Sequence, residues 1–255
     1  MKGRKKTLYE CIFKRFFDFC ISLLVLILLA PLFFVLFIIS KCALGGKVIF
    51  GQYRPGKDGK LFKLYKFRSM TNKTDENGNL LPDEQRITKY GKFLRKSSLD
   101  ELPQLFNILK GDMSIVGPRP RLVKDMIFYD KEVLPAYSKR PGLTGASQVA
   151  GGRSEASWES IFEEELKYAE KVTLWKDIKI IFKTIGVLFK TDSSSEGAAS
   201  SKREYFYSDY LLHNNKISKE QYALGLVMAN SIIDEKSKVE YQEVLHSTAS
   251  SVEEI

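Results

Sequence analysis

Apolar residues run from Phe19 to Ile39 without a charged side chain, which predicts a helix long enough to cross about 30 Å of hydrocarbon. Ala30-Pro31 falls near the middle of the run, where a missing amide hydrogen bends a helix. Beyond it the pattern shortens. Val48-Ile49-Phe50 and Leu61-Phe62-Lys63-Leu64-Tyr65 predict strands, and Arg54-Pro55-Gly56-Lys57-Asp58-Gly59 between them supplies the turn of a hairpin. Thr71 to Asp83 is polar, contains Asn77-Gly78 and predicts a loop. Ser98 to Lys110 carries Leu102, Leu105, Phe106 and Leu109 at helical spacing and stops at Gly111. Pro103 fits a first turn, which puts Asp100 and Glu101 at or just before that helix's start.

Two further helices are predicted downstream. Trp158 to Ala169 places Trp158, Ile161, Phe162, Leu166 and Ala169 on one core-facing stripe. Leu174 to Phe189 has the stripe Leu174, Ile178, Ile181, Phe182, Ile185 and Phe189 with Lys176, Lys179, Lys183 and Lys190 interleaved. Such a helix either lies in a membrane interface or packs on a core with its lysine stems laid flat. Thr191 to Ser201 has linker composition. Ser218-Lys219-Glu220-Gln221 is a capping box opening a helix through Tyr222, Leu226 and Ile233, with a second short helix over Ser237 to Leu245. No internal repeat is present. The pattern divides the chain into a basic N-terminus with the membrane helix (1–40), a central domain (41–190), a linker (191–204) and a helical accessory tail (205–255), of α+β class overall.

Charge sharpens this picture. The net charge is +9, which calls for an anionic partner: nucleic acid, an anionic membrane surface or a phosphorylated substrate. No zinc-finger spacing, basic zipper or aromatic RNA-binding segment occurs, so no nucleic acid partner is expected. Lys2, Arg4, Lys5, Lys6, Lys14 and Arg15 precede the apolar run, and Lys41, Lys47, Arg54 and Lys57 follow it. Both flanks therefore qualify as the cytoplasmic side. The run is too long for a cleaved signal peptide and lacks a small-x-small site. A kinked single span and a bent helix returning to its own side both fit.

Chemistry is scarce. The two histidines, His213 and His246, fall in the tail, and Cys11, Cys20 and Cys42 lie in or beside the apolar run. Unpaired cysteine spacing fits a reducing compartment. A Ser-His or Cys-His nucleophile is hard to build centrally, which leaves carboxylate chemistry at Asp100-Glu101. Ser98-x-x-Glu101 also matches a capping box, the plainer explanation of the acidic pair. Against it stand the phosphate-binding side chains nearby: Lys66 and Arg68, then Arg95, Arg119 and Arg121 in Gly117-Pro118-Arg119-Pro120-Arg121, then Arg140 and Arg153. Free amides at that helix start would also suit a phosphate.

These residues, in this order, resemble the bacterial sugar transferase family, and more closely its small monotopic polyprenyl-phosphate phosphoglycosyl transferases. The resemblance rests on Lys14-Arg15-Phe16-Phe17-Asp18, Pro31, Gln52-Tyr53-Arg54-Pro55-Gly56, Tyr65-Lys66-Phe67-Arg68-Ser69-Met70 and Ser98-Leu99-Asp100-Glu101-Leu102-Pro103-Gln104-Leu105. Gly111-Asp112-Met113-Ser114, Val116-Gly117-Pro118-Arg119-Pro120 and Arg140-Pro141-Gly142-Leu143-Thr144-Gly145 complete it, over about residues 10 to 206. It implies transfer of a sugar 1-phosphate from a UDP-sugar to undecaprenyl or another polyprenyl phosphate, with release of UMP. It implies Asp100 as nucleophile and Mg²⁺ ligand, Glu101 as its partner, and Lys66, Arg95, Arg119 and Arg153 on phosphate, beside which the residues themselves add Arg68 as a phosphate ligand. A re-entrant membrane helix broken at Ala30-Pro31 and interfacial amphipathic helices are implied too. So are the cytoplasmic face of a bacterial inner membrane and downstream glycosyltransferases or a second copy as partners.

Two departures stand out. The family's break is Ser-Pro, whereas this chain has Ala30-Pro31. Its Gln-Val-Asn-Gly-Arg becomes Gln148-Val149-Ala150-Gly151-Gly152-Arg153, one residue longer and without the asparagine. Ser195-Glu196-Gly197 before Phe206 resembles members that use N-acetylated hexosamines. A membrane-anchored, non-catalytic binder of anionic lipid or nucleotide is the alternative, and UMP release separates the two.

Overall fold

The long apolar run folds as two helices, α1 (Lys14–Leu28) and α2 (Ala30–Leu44), in a computed structural model that describes residues 7–150, 157–190 and 206–253. They meet at Leu29, with φ −91° and ψ 3°, and the pair is bent by 64°. Pro31 occupies the first turn of α2, where a missing N–H removes no internal bond. Among the described residues no single helix is long and apolar enough to cross a membrane, while the bent pair satisfies length and composition together.

The predicted hairpin forms. Strands β1 (Ile49–Pro55) and β2 (Leu61–Phe67) pair antiparallel from Ile49↔Phe67 to Pro55↔Leu61. Asp58 (φ 55°) and Gly59 (φ 77°) turn the chain between them. The outer edge of β2 is not left open. Asn107, fully buried, accepts from the Tyr65 N–H over 3.0 Å and donates to the Lys63 carbonyl over 2.8 Å, replacing a third strand with one amide side chain.

The Ser98–Lys110 stretch is broken rather than continuous. After the short α3 (Asp83–Arg86) and α4 (Lys89–Lys96), Leu99–Glu101 makes a 3₁₀ turn, and α5 begins only at Gln104 and runs to Lys110. Pro103 explains the late start, because it cannot donate back into a preceding turn. Two three-residue strands, β3 (Ser114–Val116) and β4 (Gly142–Thr144), pair in parallel and are too short to leave a sequence pattern. A Cβ on Gly142 would lie 2.1 Å from the Gly117 nitrogen, so their close approach depends on glycine. Between and after them come α6 (Val123–Met126), α7 (Ala146–Ala150), α8 (Trp158–Glu170) and α9 (Leu174–Lys190).

The bent helix pair is tied into this body. Phe62, Leu64, Leu105, Ile108 and Met113 form a core against which Val25, Leu26 and Phe33 pack. Arg15 donates to the carbonyls of Ile108 and, over 2.7 Å, Leu109, which closes the C-terminus of α5. Asp18 is buried and accepts from the Ile115 N–H at 3.0 Å. Lys14 meets Asp177 of α9 at 2.5 Å, and Tyr9 and Tyr168 each donate to the same carboxylate over 2.7 Å. The Lys14-Arg15-Phe16-Phe17-Asp18 motif is thus a clamp.

In α9 the sequence allowed a core or an outward stripe. Leu174, Trp175, Phe182 and Ile185 are exposed, whereas Asp177 and Ile180 are buried, so much of the stripe faces outward. The tail comprises α10 (Tyr207–His213) and α11 (Lys219–Glu253), which absorbs the second short helix expected after Ser237. It docks on α6: Ser208 donates its N–H and hydroxyl to buried Asp125 at 3.1 and 3.0 Å, while Tyr207 and Leu211 join Tyr129 and Phe162 in a core. The predicted linker lies outside the described residues.

Candidate active site

Asp100 and Glu101 sit in the 3₁₀ turn between α4 and α5, and the capping box expected from Ser98 does not form. Ser98 adopts a left-handed φ of 56° and makes no side-chain cap. That conformation costs about 1–2 kcal/mol for a residue other than glycine. Glu101 accepts from Lys66 over 2.6 Å; the same ammonium lies 3.8 Å from Asp100. The Ser98 side-chain cap is therefore absent, and Glu101 is engaged by Lys66.

Asp100 is 8 % exposed. Burial raises its pKa, Glu101 adds to the rise, and Lys66 and Arg95 oppose it. Lys66 and Arg95 thus belong to the same electrostatic site as the dyad. Arg95 is positioned by α4 and donates through Nε to Ser69 over 2.9 Å, a hydroxyl the sequence reading did not single out. Arg68 does something else: it donates to the carbonyls of Leu44 (2.7 Å) and Gly45, closing the C-terminus of α2. These contacts tie α2 to β2.

Arg119 belongs to a second basic cluster. Its N–H donates to Glu165 over 3.3 Å. Arg54 donates to the Pro120 carbonyl over 3.4 Å and to Gln52 over 2.7 Å. Burial first, then the charge of Arg119, brings Arg54 down to about 10. Arg121 stacks over Trp158 with its guanidinium carbon 4.7 Å from the ring centre. Glu165 is 1 % exposed and also accepts from Ser147 over 2.8 Å. Its signal was available: Glu165 interrupts the apolar stripe of α8, three residues after Phe162 and four before Ala169. Arg153 and the Gly151-Gly152 insertion lie outside the described residues.

One hairpin relates the two clusters. Lys66 pairs with Phe50 and Arg54 with Phe62, so both stand on the same face, four residues apart along β1. At strand rise this is about 13 Å. A carboxylate pair with an ammonium at one end and guanidinium groups at the other can span an extended polyphosphate ester. No group of three or more metal-type side chains occurs among the described residues. Two carboxylates still suit Mg²⁺, which commonly takes one or two carboxylates and completes its shell with substrate phosphates and water.

Residues 9–191 match the profile of the family described as bacterial sugar transferase. The chain is 42% identical over 174 residues to an uncharacterized sugar transferase, EpsL, of Bacillus subtilis, covering 68% of this chain and 86% of that one. It is 43% identical over 184 residues to a UDP-glucose:undecaprenyl-phosphate glucose-1-phosphate transferase of Klebsiella pneumoniae, and 40% identical over 198 residues to an undecaprenyl-phosphate galactose phosphotransferase of Salmonella typhimurium. These matches cover 68% and 71% of this chain but only 39% and 41% of those proteins. With a match over most of its length and a body built around the quoted motifs, the chain belongs to the bacterial sugar transferase family.

Proposed function

We propose that the protein transfers a sugar 1-phosphate from a UDP-sugar to undecaprenyl or another polyprenyl phosphate, releasing UMP. The observation that carries this is the buried Asp100 carboxylate, set beside Glu101 and Lys66 and within the field of Arg95. An Asp100 oxygen attacks the phosphorus that bears the sugar, and the bond from that phosphorus to the oxygen of UMP breaks. A phosphate oxygen of the polyprenyl acceptor then attacks the same phosphorus. The Asp100 acyl-phosphate bond breaks, leaving a polyprenyl diphosphosugar and a free carboxylate.

Lys66 and Arg95 orient the reacting phosphate, and Glu101 takes or returns the proton that the acceptor phosphate carries. Arg119, with Arg54 behind it, holds the UMP end, and Arg153 joins that set by resemblance. Asp100 and the substrate phosphates would hold Mg²⁺, which neutralises charge between two anions that must meet. The donor we favour is an N-acetylated hexosamine, on the strength of Ser195-Glu196-Gly197; the relatives' names make glucose and galactose the competitors.

The bend at Leu29 and the basic flanks support a re-entrant helix with both ends on the cytoplasmic face of the inner membrane. The outward stripe of α9 fits an interfacial helix. The test is to incubate purified protein with undecaprenyl phosphate, Mg²⁺ and a panel of UDP-sugars while monitoring UMP. Acceptor-dependent UMP release with one of these donors is expected. No release with any donor would overturn the proposal.

A further inference from the structure

At the far end of α5 from the dyad, five segments distant in the sequence, β3 and the end of α8 among them, close around a cavity of about 330 Å³. Lys14, Arg15 and Asp18 come from α1, Glu10 and Cys11 from the turn before it, Lys57 from the hairpin turn, and Lys139 and Arg140 from the approach to β4. Two of these cations are neutralised: Lys14 by Asp177 and Lys139 by Glu10, each at 2.5 Å. Arg15 and Arg140 spend their hydrogen bonds on carbonyls, those of Ile108 and Leu109 for the first and of Gly111 for the second. Carbonyls satisfy the N–H groups and leave the charges standing. Lys57 forms a long ion pair with Asp58, at 3.9 Å on the surface. The lining itself carries five cations against two carboxylates, Glu10 and Asp18, while Asp177, Asp58 and Asp112 stand outside it.

The surroundings say which anion. Leu8, Ile12, Phe13, Phe16 and Phe19 are exposed on the same stretch of chain that lines the cavity, and they lead directly into the apolar pair α1–α2. An apolar side next to a cationic recess is the arrangement expected at a headgroup plane. The seven residues of α5 place the cavity about 10 Å from the dyad, too far for the reacting phosphate. We infer that this cavity binds the phosphate of an anionic phospholipid headgroup, a site separate from the catalytic one. The inference does not depend on the proposed reaction.

The test uses the full chain in nanodiscs of phosphatidylcholine containing a small fraction of phosphatidylglycerol with a photoreactive headgroup. After illumination, labelled peptides are identified by mass spectrometry. Labelling is expected on the peptides holding Lys57 and Ser138 to Arg140, falling about fivefold in Lys57→Gln and Arg140→Gln and retained in Arg140→Lys. Lys57 is exposed, so its variant keeps the test valid should Arg140→Gln misfold. Equal labelling by a photoreactive phosphatidylcholine, label spread evenly over the basic surface, or indifference to Lys57→Gln would overturn the inference. Displacement by soluble glycerol phosphate at equal concentration would assign the cavity to free phosphate esters and overturn the lipid assignment.

Discussion

Lys66 reaches Glu101 over 2.6 Å and stays 3.8 Å from Asp100, so one ammonium is shared unequally between neighbouring carboxylates. Glu101 takes the closer contact and Asp100 keeps the freer oxygen. Asp100→Ala and Asp100→Asn are expected to cut UMP release by about a thousandfold or more, and Glu101→Gln by about a hundredfold with the fold intact. Steady-state UMP assays on purified variants check this. Near-normal release from Asp100→Ala would remove the assignment.

A two-step displacement leaves a phosphosugar on Asp100 when the acceptor is withheld. Intact-protein mass spectrometry after mixing with UDP-sugar and Mg²⁺ should show the added mass, and peptide mapping should place it on Asp100. Repeated absence of the adduct from protein that turns over would favour direct transfer.

Burial raises the Asp100 pKa, so activity should fall on acidification at a pH above the usual aspartate value of about 3.9. The effect on stability has the opposite sense. The folded state holds this proton more tightly than the unfolded chain, so stability declines as pH rises from the ordinary value through the raised one. Asp100→Asn removes that penalty and should melt higher than the parent at pH 7 while being inactive. A pH–rate profile and paired melting curves read both. A lower melting point for Asp100→Asn at pH 7 would contradict the burial argument.

Pro31 offers no amide donor to a continuous α1–α2 helix, and its substitution by Ala, which supplies one, is expected to straighten the pair towards a full span. With the three native cysteines removed and one placed near Lys5, an impermeant thiol reagent outside intact cells should leave the parent unlabelled and label Pro31→Ala. Labelling of the parent would establish a true span.

Ser208→Ala withdraws a hydroxyl from buried Asp125 and leaves the backbone N–H as its remaining donor there. A loss of about 1–3 kcal/mol is expected in denaturant titration, with UMP release per folded molecule unchanged. A change within error would mean that the tail's docking does not rest on this contact.

The hairpin, the bend, the dyad and the clustering of Lys66 with it were legible because each has a local cause: turn residues, a proline, adjacent carboxylates. What was not legible depends on distance along the chain. Asn107 reads as one more polar residue on a helix until the edge of β2 lies beside it. Ser98 and Glu101 have the spacing of a cap, and only the competing Lys66 contact and the left-handed Ser98 show that no cap forms. The contacts of Arg68 with two helix-end carbonyls were not legible either, because nothing local in the sequence brings the end of α2 beside β2.

Arg15 grips the last carbonyls of α5, and the dyad stands just ahead of that helix's first turn. A seven-residue helix does not compress, so α5 acts as a rigid spacer between α1 and the reacting carboxylate. In the proposed membrane-embedded arrangement the depth of α1 would set the height at which Asp100 rides, and a change of bilayer thickness would reach the chemistry as a change of altitude.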